Sequence, residues 1–280
     1  MTPFLKMHGL GNDFAVFDAR NQTLALDAAT ARAIADRRFG IGCDQVIVIE
    51  PATNGADAFM RIYNSDGGEV ENCGNAARCI ARVLMDEKNA NAITLQTQGG
   101  PLACTAQGDL VTIDMGVPRF GWREIPMARE TDTLSFPIKI DGSDFYPLTI
   151  ATAVNVGNPH VVLFVPDAEH APVSELGPKI EHHPLFPERT NVEFVSLIDK
   201  DRLRMRVWER GAGITMACGT GACATMVAAY RRGLAGHKVD VVLDGGTLTI
   251  EWAGEGHPVL MTGPWARAYR GEVDLAALAS

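Results

Sequence analysis

Shifted against itself by 145 or 146 residues, this 280-residue chain aligns nearly end to end. Gly11-Asn12 falls on Gly157-Asn158, Gln45 on Asn191, and Met60-Arg61-Ile62-Tyr63-Asn64 on Met205-Arg206-Val207-Trp208-Glu209. Cys73-Gly74 falls on Cys218-Gly219, Gly99-Gly100 on Gly245-Gly246, and Met115, Gly116 and Pro118 on Met261, Thr262 and Pro264. Chance does not hold an offset to within one residue over that range. The chain is therefore two related lobes, about 1–118 and 147–264, and must fold as one architecture used twice. Residues 119–146 read as a polar, Pro-containing connection counted with the second lobe (119–264), and a short tail follows from Trp265.

Each lobe mixes strands and helices in the same order, an α/β class of fold with α+β character. Val46–Glu50, Ala58–Tyr63, Ile93–Thr97 and Leu110–Met115 are short apolar or alternating runs that predict strands. Asp27 suits the N-cap of a helix running through Arg38 and closed by Gly40. After each Cys-Gly pair the period changes. Ala76, Ala77, Ile80, Val83 and Leu84 recur at helical spacing within 75–88, as do Ala222, Cys223, Met226, Val227 and Tyr230 within 220–232. The second of these is apolar nearly all round until Arg231, which predicts a helix enclosed by its lobe.

The mirrored cysteines therefore stand at two helix starts. A helix N-terminus offers unpaired N–H groups and the positive end of the dipole, which lowers a thiol pKa and can hold a carboxylate. Inverting a carbon centre needs a base on one face of a planar carbanion and an acid on the other. Two homologous lobes facing across a cleft would supply one thiol each, Cys73 and Cys218, sharing one proton between them. A hydrolase needs one nucleophile with a histidine and has no use for a duplicated cysteine. Cys43, Cys79, Cys104 and Cys223 break the repeat and are assigned as core fillers or incidental surface residues. His182 and His183 in a Pro-rich loop, and His170, His237 and His257 without matched partners, read as surface residues.

Composition narrows the function classes. A net charge of -9, with the charges dispersed, gives no basic patch for nucleic acid or an anionic membrane. The opening MTPFLKMHGLGND lacks the pattern of a secretory signal, and no apolar run approaches a membrane span, so a cytosolic location is expected. No CxxC or HxxxH spacing occurs, and no metal or other cofactor is expected. The partner expected is a small amino-acid substrate; oligomeric state, a homodimer included, stays open. On the residues alone, a racemase for another amino acid and a redox-sensing or ligand-binding protein stay open too.

The stretches MHGLGNDF (7–14), NSDGGEVENCGNAARC (64–79), NVGNPHVV (155–162), NVEFV (191–195) and WERGAGITMACGTGACA (208–224) closely resemble those of diaminopimelate epimerases. The resemblance covers essentially the whole chain. It implies two pseudo-symmetric lobes, each a mixed sheet curled barrel-like around a central helix, with the active site in the cleft between them and the tail 265–280 returning to the first lobe. It implies interconversion of LL- and meso-diaminopimelate, in lysine and cell-wall precursor synthesis, without pyridoxal phosphate or metal. Cys73 and Cys218 fall on the two catalytic thiols. Gly74, Asn75, Gly219 and Thr220 match the positions that hold the reacting α-carboxylate. Asn12, Gln45, Asn64, Asn158, Asn191, Glu209 and Arg210 match the other substrate contacts, Arg210 suiting a distal carboxylate. His160 and Glu209 match the pair that adjusts the thiols. They lie opposite Phe14 and Asn64 in the repeat, so the charge that breaks the symmetry is carried by the second lobe. Ile214 stands where many members have glutamate. Proline and hydroxyproline racemases, wider relatives, typically have histidine at the position of Asn75, and phenazine-type isomerases lack the cysteine pair.

Overall fold

The computed structural model describes residues 1–24, 26–140 and 148–278. Its internal contacts divide it into unit 1, Met1–Ile113 with Gly263–Ser280, and unit 2, Asp114–Thr262. The repeat placed the first break after residue 118. It falls earlier because Met115 N–H donates to Val259 C=O (2.9 Å) and Val259 N–H to Gly116 C=O (2.9 Å), which ties 114–118 to unit 2.

In unit 1 the order is β1 (Thr2–Gly9), β2 (Asn12–Asp18), α1 (Ala28–Ala35), β3 (Gln45–Glu50), β4 (Ala58–Asn64), α2 (Gly74–Lys88), β5 (Ala92–Thr97), β6 (Gly100–Gln107) and β7 (Leu110–Asp114). β2 and β3 are parallel, with Phe14 beside Gln45; β3–β4 is antiparallel, β4–β5 parallel, and β5–β6–β7 antiparallel. Asp27 caps α1 as expected, its Oδ1 accepting from Thr30 N–H at 2.8 Å. The helix ends at Ala35 and not at Arg38. The Asp36 carboxylate takes the N–H groups of Arg38 (2.7 Å) and Phe39 (2.8 Å), a local alternative that competes with another helical turn.

Unit 2 repeats that plan with β8 (Phe136–Lys139), β9 (Leu148–Asn155), β10 (Pro159–Phe164), α3 (Val173–Glu181), β11 (Asn191–Leu197), β12 (Arg202–Glu209), β13 (Gly213–Ile214), α4 (Gly219–Arg231), β14 (Lys238–Leu243), β15 (Gly246–Trp252) and β16 (Val259–Gly263). The pairing is that of unit 1: β10–β11 parallel with His160 beside Asn191, β11–β12 antiparallel, β12–β14 parallel, β14–β15–β16 antiparallel. The chain then re-enters unit 1 as β17 (Ala266–Val273), antiparallel to β1, followed by α5 (Leu275–Leu278).

α3 is the counterpart of α1 and its sequence conceals it. Gly177 and Pro178 lie inside it, both poor helix residues, and Pro172 at its N-cap makes no side-chain cap. Packing requires the glycine: a Cβ there would lie 2.4 Å from Trp208 Cγ. Residues 119–140 of the expected connection are also more than a linker. Ile125, Met127, Phe136, Ile138 and Ile140 are buried in one cluster with Leu176, Ile180 and Phe194. Residues 141–147 of that connection lie outside the described residues.

The central helices follow from their composition. α2 packs on β1, β5 and β6, and α4 on β9, β10, β11, β12, β14 and β15. Ala222 through Ala229 of α4 are all buried, so the sheet encloses the helix and small side chains let the strands close round it. Among the described residues no helix is long and apolar enough to cross a membrane.

Cys43, Cys79, Cys104 and Cys223 are buried. Burial pushes the thiols of Cys43, Cys79 and Cys104 up to about 11, 12 and 12. The folded chain keeps those protons while the unfolded chain loses them above pH ~8.5, so stability falls as pH rises from there towards 11. Urea titrations across that range should show a decline whose slope shrinks by about 1.4 kcal/mol per pH unit in Cys104→Ala, beyond that variant's constant packing loss.

Candidate active site

Cys73 is the N-cap of α2, and its Sγ accepts from Ala76 N–H at 3.5 Å. Asn12 enters from the start of β2, where Gly11 takes φ +84°, a turn its repeat partner Gly157 makes at φ +103°. Asn12 Oδ1 lies 3.8 Å from Cys73 Sγ and accepts from Asn75 Nδ2 at 3.2 Å. Gln45 and Asn64 are register partners on β3 and β4, joined by Gln45 Nε2 donating to Asn64 Oδ1 at 2.9 Å. Gln45 Oε1 is buried with no protein partner. Gly74 and Asn75 are buried at the helix start. Behind them stands Arg78, fully buried, its guanidinium donating to Asn75 Oδ1 (2.9 Å) and to Pro264 C=O (3.0 Å). The sequence reading passed over this arginine; its signal is an arginine three residues after Asn75 on an otherwise apolar helix face.

Cys218 is the N-cap of α4, and its Sγ accepts from Gly221 N–H at 3.3 Å, with Thr220 Oγ1 at 3.6 Å. Glu209, at the end of β12, accepts a hydrogen bond from Thr215 Oγ1, and its carboxylate acts electrostatically on the Cys218 thiol. His160, on β10, is fully buried with Nδ1 2.6 Å from Glu193 Oε1 and Nε2 2.7 Å from Asn158 Oδ1. Asn191 donates to Pro159 C=O (2.9 Å) and accepts from Arg210 N–H (2.9 Å), so it shapes the turn from which Arg210 projects. The Arg210 guanidinium is exposed and rests on Glu188 C=O at 3.3 Å.

The electrostatics of this second cluster overturn one expectation. The helix start should have lowered the Cys218 thiol; instead its pKa stands well above the ordinary thiol value. Burial is the largest cause, and the carboxylates of Glu209 and Glu193 add like charge. The bonds from Thr220 and Gly221 act the other way and are outweighed. Burial also raises both glutamates. Cys218 therefore carries its proton at neutral pH.

Glu193 stands in the sequence reading only within the stretch NVEFV (191–195), with no role of its own. The repeat sets it opposite Ile47, as it sets His160 opposite Phe14 and Glu209 opposite Asn64, so the same comparison that exposes those two exposes the third.

The family model described as Diaminopimelate epimerase matches residues 4–121 and 152–267. The chain is 54% identical over 272 residues to the diaminopimelate epimerase of Erythrobacter litoralis, covering 97% of each. It is 53% identical to that of Rhodospirillum centenum, covering 96% of this chain and 91% of the relative. Its fold is that of a hydroxyproline epimerase from Agrobacterium vitis (TM-score 0.70, 17% identity, 96% and 91% covered). A Bacillus anthracis phenazine biosynthesis protein of the PhzF family shares it (TM-score 0.66, 15% identity, 97% and 98% covered).

If Glu209 contributes to the proton affinity of Cys218, Glu209→Gln should move the pH midpoint for carboxamidomethylation of Cys218 downward by roughly one unit. Peptide mass spectrometry after iodoacetamide pulses across a pH series reads this directly, and an unmoved midpoint assigns the effect to burial and Glu193.

Proposed function

This chain belongs to the diaminopimelate epimerase family, and from that premise we propose that it interconverts LL- and meso-diaminopimelate with Cys73 and Cys218 as its two bases and no cofactor. The observation that carries the proposal is that each cysteine is the N-cap of a central helix.

In this reading one sulfur, as thiolate, takes the α-proton and the C–H electron pair stays on carbon. The other, as thiol, gives its proton to the opposite face, so one proton leaves and one arrives. The protonated state of Cys218 suits it to begin a turnover as the acid. The N–H groups at Gly74, Asn75, Gly219 and Thr220 hold the α-carboxylate, where charge accumulates as the carbanion forms. Gln45, with an unpaired buried acceptor, and Asn64 receive the ammonium group; Asn12 and Asn158 place the carbon beside its sulfur. Arg210, free to swing from its exposed turn, takes the distal carboxylate in a two-pronged grip, with Asn191 holding the turn. The cytosolic assignment belongs to the same proposal, since chemistry by free thiols requires a reducing compartment.

Incubation of the chain with LL-diaminopimelate in deuterated buffer should give the meso isomer carrying one deuterium at the inverted centre, read by chiral chromatography and mass spectrometry. Cys73→Ala or Cys218→Ala should each lower the rate by roughly 10²- to 10⁴-fold, whereas Cys104→Ala should keep most of it. Near-normal turnover in Cys73→Ala would rule out two bases.

A further inference from the structure

We propose that Glu193 is a positioning residue for the Cys218 half of the site: with His160 it holds one exchangeable proton, whose presence or loss sets the negative charge facing the thiol. For its activity arm this rests on the epimerase reading above; its geometry and its remaining tests do not.

The geometry counts the protons. Asn158 Oδ1 is an acceptor, so the 2.7 Å contact places a hydrogen on His160 Nε2. The 2.6 Å contact between His160 Nδ1 and Glu193 Oε1 requires one more hydrogen, on either atom. Whether the pair is imidazolium with carboxylate or imidazole with carboxylic acid, its net charge is zero. Loss of the shared proton leaves a single negative charge in a place with no water to screen it, since both side chains are fully buried.

That charge is aimed at the thiol. Along β11 side chains alternate: Val192 and Phe194 join the cluster packed on α3, and Glu193 faces α4. A Cβ on Gly221 would lie 2.9 Å from Glu193 Oε1 and 3.2 Å from Cys218 Sγ, so the carboxylate and the sulfur flank the same glycine of the helix start. Glu193 Oε2 is buried without a partner. The other ionisable groups around the pair are few. Glu209 comes from β12 and Cys218 from the start of α4; β9 adds none, β10 only His160, and α4 before Arg231 only the Cys223 thiol and the Tyr230 phenol, which are neutral groups in the neutral range. Glu181 of α3 lies on the other side of β11, bonded to Trp208 Nε1 (2.7 Å) and Gly211 N–H (3.0 Å).

The site can thus hold its negative charge in two forms. With the shared proton in place, Cys218 faces Glu209 alone and can give up its proton to substrate and recover it. Once the shared proton leaves, a second carboxylate faces the sulfur and the thiolate form is disfavoured.

Glu193→Gln keeps the shape and a hydrogen bond to His160 but has no proton to release. The carboxamidomethylation midpoint of Cys218 should move to lower pH by roughly one unit. The alkaline limb of the kcat profile should move with it, with KM held. Glu193→Asp should restore part of the wild-type pH profile. In the wild-type protein, ¹⁵N NMR of histidine should show His160 with a hydrogen on Nε2 and Nδ1 in a shared-proton hydrogen bond. This last measurement stands whether or not the variants fold. A labelling profile in folded Glu193→Gln that superimposes on wild type, or a His160 ring with a bare, unbonded Nδ1, overturns the proposal. Failure of the wild-type protein to act on diaminopimelate would instead strike the epimerase reading and leave the labelling and NMR outcomes intact.

Discussion

A helix enclosed by its own sheet cannot hand its first N–H groups to bulk solvent, and the chemistry of this fold grows from that constraint. In both units the residue at the cap is a cysteine, whose sulfur is a weak, long-range acceptor at 3.5 Å and 3.3 Å. It uses one donor lightly and leaves the neighbouring N–H groups available to an anion. Serine or aspartate would cap better and thereby occupy the dipole. The small residues of α4 serve the same end, because they let strands close round the helix and fix where it begins.

Upon this symmetric frame the ionisable residues are distributed unevenly. Glu193, His160 and Glu209 surround one cysteine; the matching positions in unit 1 are Ile47, Phe14 and Asn64. Burying two glutamates beside a thiol is costly unless protons are shared, and here they are: Glu193 with His160 and Glu209 with Thr215. The same arrangement explains why a helix start fails to acidify Cys218. A partial positive charge of roughly half a unit cannot outweigh desolvation together with two nearby carboxylates.

Much of this was legible before any coordinates. The repeat gave the two units, the cysteine helices and the strands, because strong periodicity and a fixed offset survive averaging over local detail. What the residues concealed were features set by tertiary contact. α3 hides behind Gly177 and Pro178, and only the Trp208 ring pressing on that glycine explains it. α1 stops early because the Asp36 side chain offers the backbone a local substitute for the next turn. Arg78 and Glu193 were missed because a lone charge in an apolar run reads as solvated until burial is known, and the sign of the Cys218 shift depends on neighbours far apart in sequence.

The pairing of β1 with β17 has a consequence for how the molecule comes into being. Unit 2 is a continuous stretch, 114–262, whereas unit 1 is assembled from two stretches far apart in the sequence, 1–113 and 263–280. On a ribosome the early strands of unit 1 emerge first, yet β1 must wait for residues 266–273 before its outer edge is covered. The order of maturation is therefore the reverse of the order of synthesis: the later half can close on itself while the earlier half still presents an open strand edge. Until then the open edge of β1 is exposed to mispairing.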